Sequence, residues 1–184
     1  MFIVNFHDEA FLDTDFTRDV LRLQDALQRI DSRGGTALYD AIGMSLDHLK
    51  DKAKWDKQVL LIVTDGEDNA SVVELEELVR RLQETDTVIY AVGLLSEEDH
   101  GSAKRATRAI RHVVRATGGA AFFPKSVDEV NAITQQIAQD IRNQYILAYS
   151  PAQGGGSGFR RVKVVLSGKK TRRLRVRHRP GYYF

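Results

Sequence analysis

No cysteine occurs among the 184 residues. That excludes disulfides and thiolate metal sites, but it does not assign a compartment, because exported bacterial chains also dispense with cysteine. No apolar run is long enough to cross a bilayer; the longest, such as Val59–Thr64, are strand-sized. Met1 is followed at once by Phe-Ile-Val-Asn-Phe, with no basic stretch and no cleavage site. No signal peptide is therefore expected, and the chain is expected to open inside a strand. Catalytic signatures are missing too. The five histidines (His7, His48, His100, His112 and His178) show neither H-x-x-x-H nor H-E-x-x-H spacing. There is no G-x-S-x-G, no G-x-G-x-x-G and no phosphate-binding G-x-x-x-x-G-K. A hydrolase on this chain would lack a nucleophile–base pair, so a binding protein rather than an enzyme is expected.

What is present is an uneven distribution of charge. The net charge is +2, yet residues 1–140 hold 16 Lys/Arg and all 25 Asp/Glu, while residues 141–184 hold 11 Lys/Arg and no acid. Length fits one domain with a small appendage. The expected division is an α/β body over 1–142 and an extension over 143–184 made of a strand and a basic β-hairpin.

Periodicity supports that division. Phe2–Phe6 reads as a short strand, and Phe11-Leu12 as the start of another. Phe16, Val20, Leu23, Leu27 and Ile30 form a helical stripe, with Thr14 or Asp15 as its cap. Ser32-Arg33-Gly34-Gly35 breaks the chain, and Thr36 opens a helix through Leu49. Val59–Thr64 is a continuous apolar run, as expected of a strand buried on both faces. Ser71 and Glu74 have capping-box spacing for a helix to Gln83. Thr87–Val92 and Ala120–Phe123 read as further strands. Ala103–Thr117 and Val127–Arg142 read as helices, the first stopped by Gly118-Gly119 and the second opened by Ser126 and Glu129. Tyr145–Tyr149 is a predicted strand, and Arg160–Leu166 with Arg172–His178 a predicted hairpin. Alternating strands and helices imply a doubly wound, mostly parallel open sheet.

Ligands of such sheets bind beyond the carboxyl ends of the strands. Thr64-Asp65-Gly66 lies at one of those ends. Asp65, Glu67 and Asp68 make a dense oxygen cluster suited to a hard divalent cation; a solvated acidic loop in which Asp65 caps a turn would read the same way. Gly34-Gly35-Thr36 permits close backbone approach and offers a hydroxyl at a helix start, or a plain N-cap. His7 and Asp8 fall on the same face. In the extension, Arg161 and Lys163 share one face and Arg173, Arg175 and Arg177 another, with Val162, Val164, Leu174 and Val176 opposed. Such a basic face could track phosphates of a nucleic acid or another anionic surface. It reads equally as a solvated ribbon or one docked on the acidic body. Tyr182, Tyr183 and Phe184 read as an apolar clip onto that body.

The ordered motifs F-H-D-E-A, G-G-T-A-L-Y-D-A-I, V-L-L-I-V-T-D-G-E-D-N-A-S and V-I-Y-A-V-G-L resemble those of the von Willebrand factor A-type domain over roughly residues 2–140. The tail, Q-Y-I-L-A-Y-S-P followed by R-H-R-P-G-Y-Y, resembles the extension of bacterial, especially acidobacterial, proteins described as VWFA-related. The resemblance implies a Rossmann-like fold, an adhesion or protein-interaction role, and an exported or cell-envelope setting. It also implies a metal ion-dependent adhesion site for Mg²⁺ or Mn²⁺ that engages an acidic group of a protein partner. Thr36 matches the threonine of the second metal loop, and Asp65 the aspartate of the third. Gly35, Gly66, Glu67, Asp68, His7 and Asp8 would form the rim. No D-x-S-x-S loop is present, and the first strand, first metal loop and first helix of the family have no counterpart. The expected metal site is therefore incomplete and its affinity poor or nil. An N-terminally truncated fold is expected, most simply from a chain cut short upstream. Its central gap would be repaired by pairing Phe2–Phe6 with Val59–Thr64, by strand exchange in a homodimer, or by insertion of the C-terminal hairpin.

Overall fold

The computed structural model describes residues 1–29, 34–95, 99–149, 158–168, 174 and 176–183. The chain opens with two short antiparallel strands, β1 (Ile3–Phe6) and β2 (Ala10–Thr14), paired as Val4↔Leu12, Asn5↔Phe11 and Phe6↔Ala10. Helix α1 (Val20–Gln28) follows. It starts later than its apolar stripe suggests, because Asp19 supplies the cap: its carboxylate accepts from the amides of Leu21 and Arg22. Asn5 fastens the helix to β1. Its buried side chain donates to the carbonyl of Ala26 and to Asp13, which also pairs with Arg29.

The body is a three-stranded parallel sheet in the order β3-β4-β5, formed by Val59–Thr64, Val88–Gly93 and Ala120–Phe122. Val59 lies opposite Val88, Thr64 opposite Gly93, and Tyr90 opposite Ala120. Three helices cover one face: α2 (Leu38–Lys52), α3 (Leu75–Gln83) and α4 (His100–Thr117). Ile42, Leu46, Leu78, Leu82, Ile110 and Val113 pack there against Ile62, Ile89 and Ala91. Helix α5 (Val127–Arg142) takes the other face, setting Ile133, Ile137 and Ile141 against Tyr90, Val92 and Val59. This is the doubly wound arrangement expected. At the end of α4, Gly118 adopts φ 80° and closes the helix. Gly119 then runs so close to β4 that a Cβ there would lie 1.8 Å from the carbonyl oxygen of Ile89.

Several expectations are corrected. β3 is not buried on both faces: Leu61 and Val63 are 48% and 53% exposed. The reason is topological, since among the described residues β3 pairs only with β4 and no helix lies over Leu61 and Val63. β1 does not pair with β3; its ladder goes to β2 instead. The hairpin does not insert between them either. Helix α3 begins at Leu75 rather than at Val72, because the Ser71 hydroxyl is used elsewhere and caps nothing in α3. Tyr145–Tyr149 forms no strand; Tyr145, Ile146 and Leu147 are exposed, with no partner strand to hold them extended.

The extension does contain an antiparallel hairpin, but shifted outward from the predicted pairing. Its strands are β6 (Phe159–Arg161) and β7 (Gly181–Tyr183), with Arg160 opposite Tyr182. It docks on the body through arginines. Arg179 donates to the carbonyls of Leu82, Gln83 and Thr85, at and just past the end of α3, and pairs with Asp86 at 2.8 Å. Arg177 pairs with Asp140 of α5. The Tyr183 ring lies under Arg80 of α3 at 5.5 Å, so this end of the chain does fold back on the body. Arg173, Arg175 and Phe184 lie outside the described residues.

Candidate functional site

The carboxyl ends of the parallel strands carry two loops that are knitted together, one before α2 and one after β3. The Thr36 amide donates to Asn69 Oδ1 at 2.7 Å, and the Thr36 carbonyl accepts from the Asn69 amide at 3.1 Å. A Cβ on Gly66 would lie 3.4 Å from Thr36 Oγ1, so the two expected site loops do meet. The turn between β1 and β2 joins them. Asp8 accepts from the Gly35 amide, and the His7 carbonyl accepts from the Ala37 amide at 2.7 Å. Gly34 is required by this contact. It sits at φ 95°, and a Cβ there would lie 2.5 Å from the Asp8 carboxylate.

Helix α2 has no cap of its own, since its first flanking residue is Ala37. The β3–α3 loop caps it instead. Asp68 Oδ2 accepts from the Tyr39 amide at 2.9 Å, and Ser71 Oγ accepts from the Asp40 amide at 3.1 Å while donating to Asp68 at 2.6 Å. Asp40 returns the favour by accepting from the amides of Val72 and Val73. The sequence analysis missed Asn69 and Asp40, and gave Ser71 to the helix that follows it. The signal was the density of short polar side chains in D-N-A-S, residues that habitually bond to nearby backbone.

The expected acidic cluster is thus divided by its partners. Asp68 is a structural cap. Glu67 turns sideways to α4, where Arg105 Nε lies 2.7 Å and 3.0 Å from its two oxygens and Ser102 Oγ 3.0 Å from one of them. The Arg105 guanidinium holds the Glu67 carboxyl below its ordinary range. Asp8 is engaged with Gly35, and the His7 ring accepts from the Asp8 amide at 2.7 Å. Beneath them the Tyr39 phenol is pushed up to about 12, first by burial and then by Asp68, Glu67 and Glu76.

Two oxygen-bearing side chains remain. The exposed Asp65 carboxylate and the half-buried Thr36 hydroxyl enter no hydrogen bond or ion pair among the described residues. These are the two positions that match the metal loops. A Mg²⁺ or Mn²⁺ ion seeks about six oxygens. With Glu67, Asp68 and Asp8 committed elsewhere, one carboxylate and one hydroxyl do not account for a resident ion. Among the described residues no group of three or more His, Asp or Glu is placed to hold one.

The basic ribbon shows the alternation predicted for it. Arg161 and Lys163 are exposed, while Val162 and Val164 are half-buried. Arg177, grouped with Arg173 and Arg175 in the sequence, is spent on Asp140. Among the described residues no helix is long and apolar enough to cross a membrane.

Comparison with known proteins fits this geometry. Two bacterial structures are similar in fold. One is the conserved hypothetical protein BatB of Bacteroides thetaiotaomicron, at TM-score 0.60 and 14% identity over 78% of this chain and 79% of that one. The other is an aerotolerance-related membrane protein of Bacteroides fragilis, at TM-score 0.59 and 16% identity over the same shares. The VWA domain of SpRpn10 matches at TM-score 0.54 and 16% identity, over 73% of this chain and 70% of that one. No curated protein matches the sequence. The model of the von Willebrand factor type A domain matches residues 2–139, and the chain belongs to that family.

Proposed function

We propose that the chain is a protein-interaction module, not an enzyme, and that it meets its partner at the carboxyl ends of β3 and β4. One observation carries this reading. At the ligand face of a parallel sheet, the side chains of Asp65 and Thr36 have no partner among the described residues, while Asp8, Glu67 and Asp68 around them are used. The loops beneath are cross-braced, so these two side chains are presented from a rigid base. An acidic group on a partner could approach Asp65 only across a cation. The two oxygens supplied here hold such an ion weakly at best. Calorimetry with Mg²⁺ or Mn²⁺ is expected to show no tight binding; tight binding lost in Asp65→Ala would refute this.

The partner is tested by photo-crosslinking. A benzophenone side chain replacing Asp65 is expected to capture a discrete protein that the same probe at Trp55 does not. Trp55 is 74% exposed and precedes β3, at the opposite pole. Equal capture from both positions would remove the reading.

A second reading concerns assembly. Leu61 and Val63 are exposed on a strand whose second edge pairs with no other strand among the described residues, a template for another strand. We read this as a site for strand exchange between two copies. Sedimentation should show a concentration-dependent dimer that Val63→Lys dissolves; an unchanged monomer in both forms would discard it. Binding of nucleic acid through Arg161, Lys163, Arg173, Arg175 and Arg177 is the weaker alternative, because Arg177 is already neutralised.

A further inference from the structure

Helix α4 differs in charge from the three other helices that cover the parallel sheet. α2, α3 and α5 each carry acids in the first turn (Asp40; Glu76 and Glu77; Asp128 and Glu129). There they complement the partial positive charge of the helix N-terminus. α4 has no acid within its 18 residues; its N-terminus is met by the capping Asp99 alone, as that of α1 is by Asp19. Its apolar side is buried through Ala106, Ile110, Val113 and Val114. On the outer side Lys104, Arg108, Arg111 and Arg115 fall at i, i+4, i+7 and i+11, and all four are exposed. That spacing places them in one stripe, about 16 Å long at 1.5 Å per residue. Like charges so spaced destabilise a helix, and Lys104 also opposes its dipole.

Beyond the Asp99 cap, no acid among the described residues pairs with the stripe. Arg105, which lies beside it, is the cation that Glu67 neutralises. Lys104, Arg108 and Arg115 enter no ion pair among the described residues. Arg111 sits over the Phe123 ring at 5.4 Å, a contact that steadies the guanidinium and leaves its charge. The stripe runs into a cleft of ≈ 440 Å³ between α4 and the chain entering β7, lined in part by Arg111, Arg115, Arg177 and His178 and by no acid.

We propose that this ridge is a docking surface for an acidic segment of a partner protein. Charge complementarity along a straight line favours a carboxylate-rich peptide. A nucleic acid fits less well. The ridge carries no aromatic platform for bases. A polyanion overrunning it would also meet a body with 25 acids against 16 Lys/Arg over residues 1–140. A membrane fits less well too, because none of the exposed large hydrophobic residues lies on α4. The proposal rests on the interaction-module reading only in general: it uses a side face, and crosslinking at position 65 can fail without touching it.

The test is fluorescence anisotropy with a labelled oligoglutamate peptide on the full chain. Arg108→Gln with Arg115→Gln is expected to weaken binding by on the order of tenfold and to flatten its salt dependence. The control pair Lys54→Gln with Lys125→Gln removes equal charge elsewhere and should leave binding unchanged. Arg108→Lys with Arg115→Lys keeps the charge and should retain most of the affinity. Absence of binding by the unaltered chain would overturn the proposal. So would an equal loss in the control or lysine pair, or tighter binding of duplex DNA or phosphatidylserine vesicles.

Discussion

β3 and β4 are alike in sequence and differ in circumstance. Both are six-residue apolar strands, paired with one another along their whole length. In β4, Ile89, Tyr90, Ala91 and Val92 are all buried. In β3 only Ile62 and Thr64 are. An apolar run declares a strand; whether the strand is covered depends on what lies beside and above it. The same contrast holds at the exits of the sheet. Asp68 is wholly absorbed in capping a helix from another loop, and Asp65, three residues earlier, is left to solvent.

The largest expected effect contrasts the two strands directly. Ile89→Ala should cost about 2–5 kcal/mol, because it removes fully buried methylenes and leaves a void. Leu61→Ala should cost less than about 1 kcal/mol, its side chain being half in water already. Urea titration of both variants checks this, and equal losses would mean that something covers β3 in solution. Next come the carboxylates. Asp68→Ala should lose about 1–2 kcal/mol, from a helix cap and the half-buried Ser71 hydroxyl left without its acceptor. Asp65→Ala should stay within about 0.5 kcal/mol. Thermal melts of the pair would break the contrast if Asp65 proved the costlier loss.

A third effect depends on pH. The folded-state pKa of Glu67 is lowered below 4.5, chiefly by Arg105. Its contribution is therefore complete above about 4.5 and lost as pH falls through the lower folded value. The Tm difference between the native chain and Glu67→Gln should hold steady near neutrality and shrink in acid; a gap that widened in acid would contradict the ion pair. The smallest effect lies at the alkaline end. Tyr39 is raised from 10.0 to about 12, so folding favours its neutral form. Stability should fall as pH climbs from 10 toward 12, and Tyr39→Phe should lessen that fall.

Much of this was legible in the sequence. The bounds of β3 and the Gly118 stop of α4 came from periodicity and breaker residues alone. Motif order singled out the loops of Thr36 and Asp65, and the fold does bring those two loops together. The side-chain traffic between the loops was not. Asp68 looked like a ligand because a sequence shows a carboxylate's charge but not which distant amide it faces. Ser71 looked like the cap of the helix that follows it, yet it serves the helix before. The strand predicted at Tyr145–Tyr149 has the right residues without an edge to receive them, a condition set by tertiary structure. The basic stripe on α4 was open to view at helical spacing. It was hidden by a charge balance taken over 1–140, in which acids elsewhere outweighed it.

Arg179 has a mechanical consequence. Helix α3 runs back from the ligand face, so the carbonyls that Arg179 grips lie at the far pole of the sheet. A pull on the C-terminal end enters the body there, while a partner held at Asp65 pulls from the opposite pole. Tension between tail and partner would then pass along β3 and β4 lengthwise, loading their parallel ladder in shear rather than peeling it open one bond at a time. In that geometry the short β6–β7 ladder and the Tyr183 ring yield first, and the Arg179 guanidinium is the grip that holds after them.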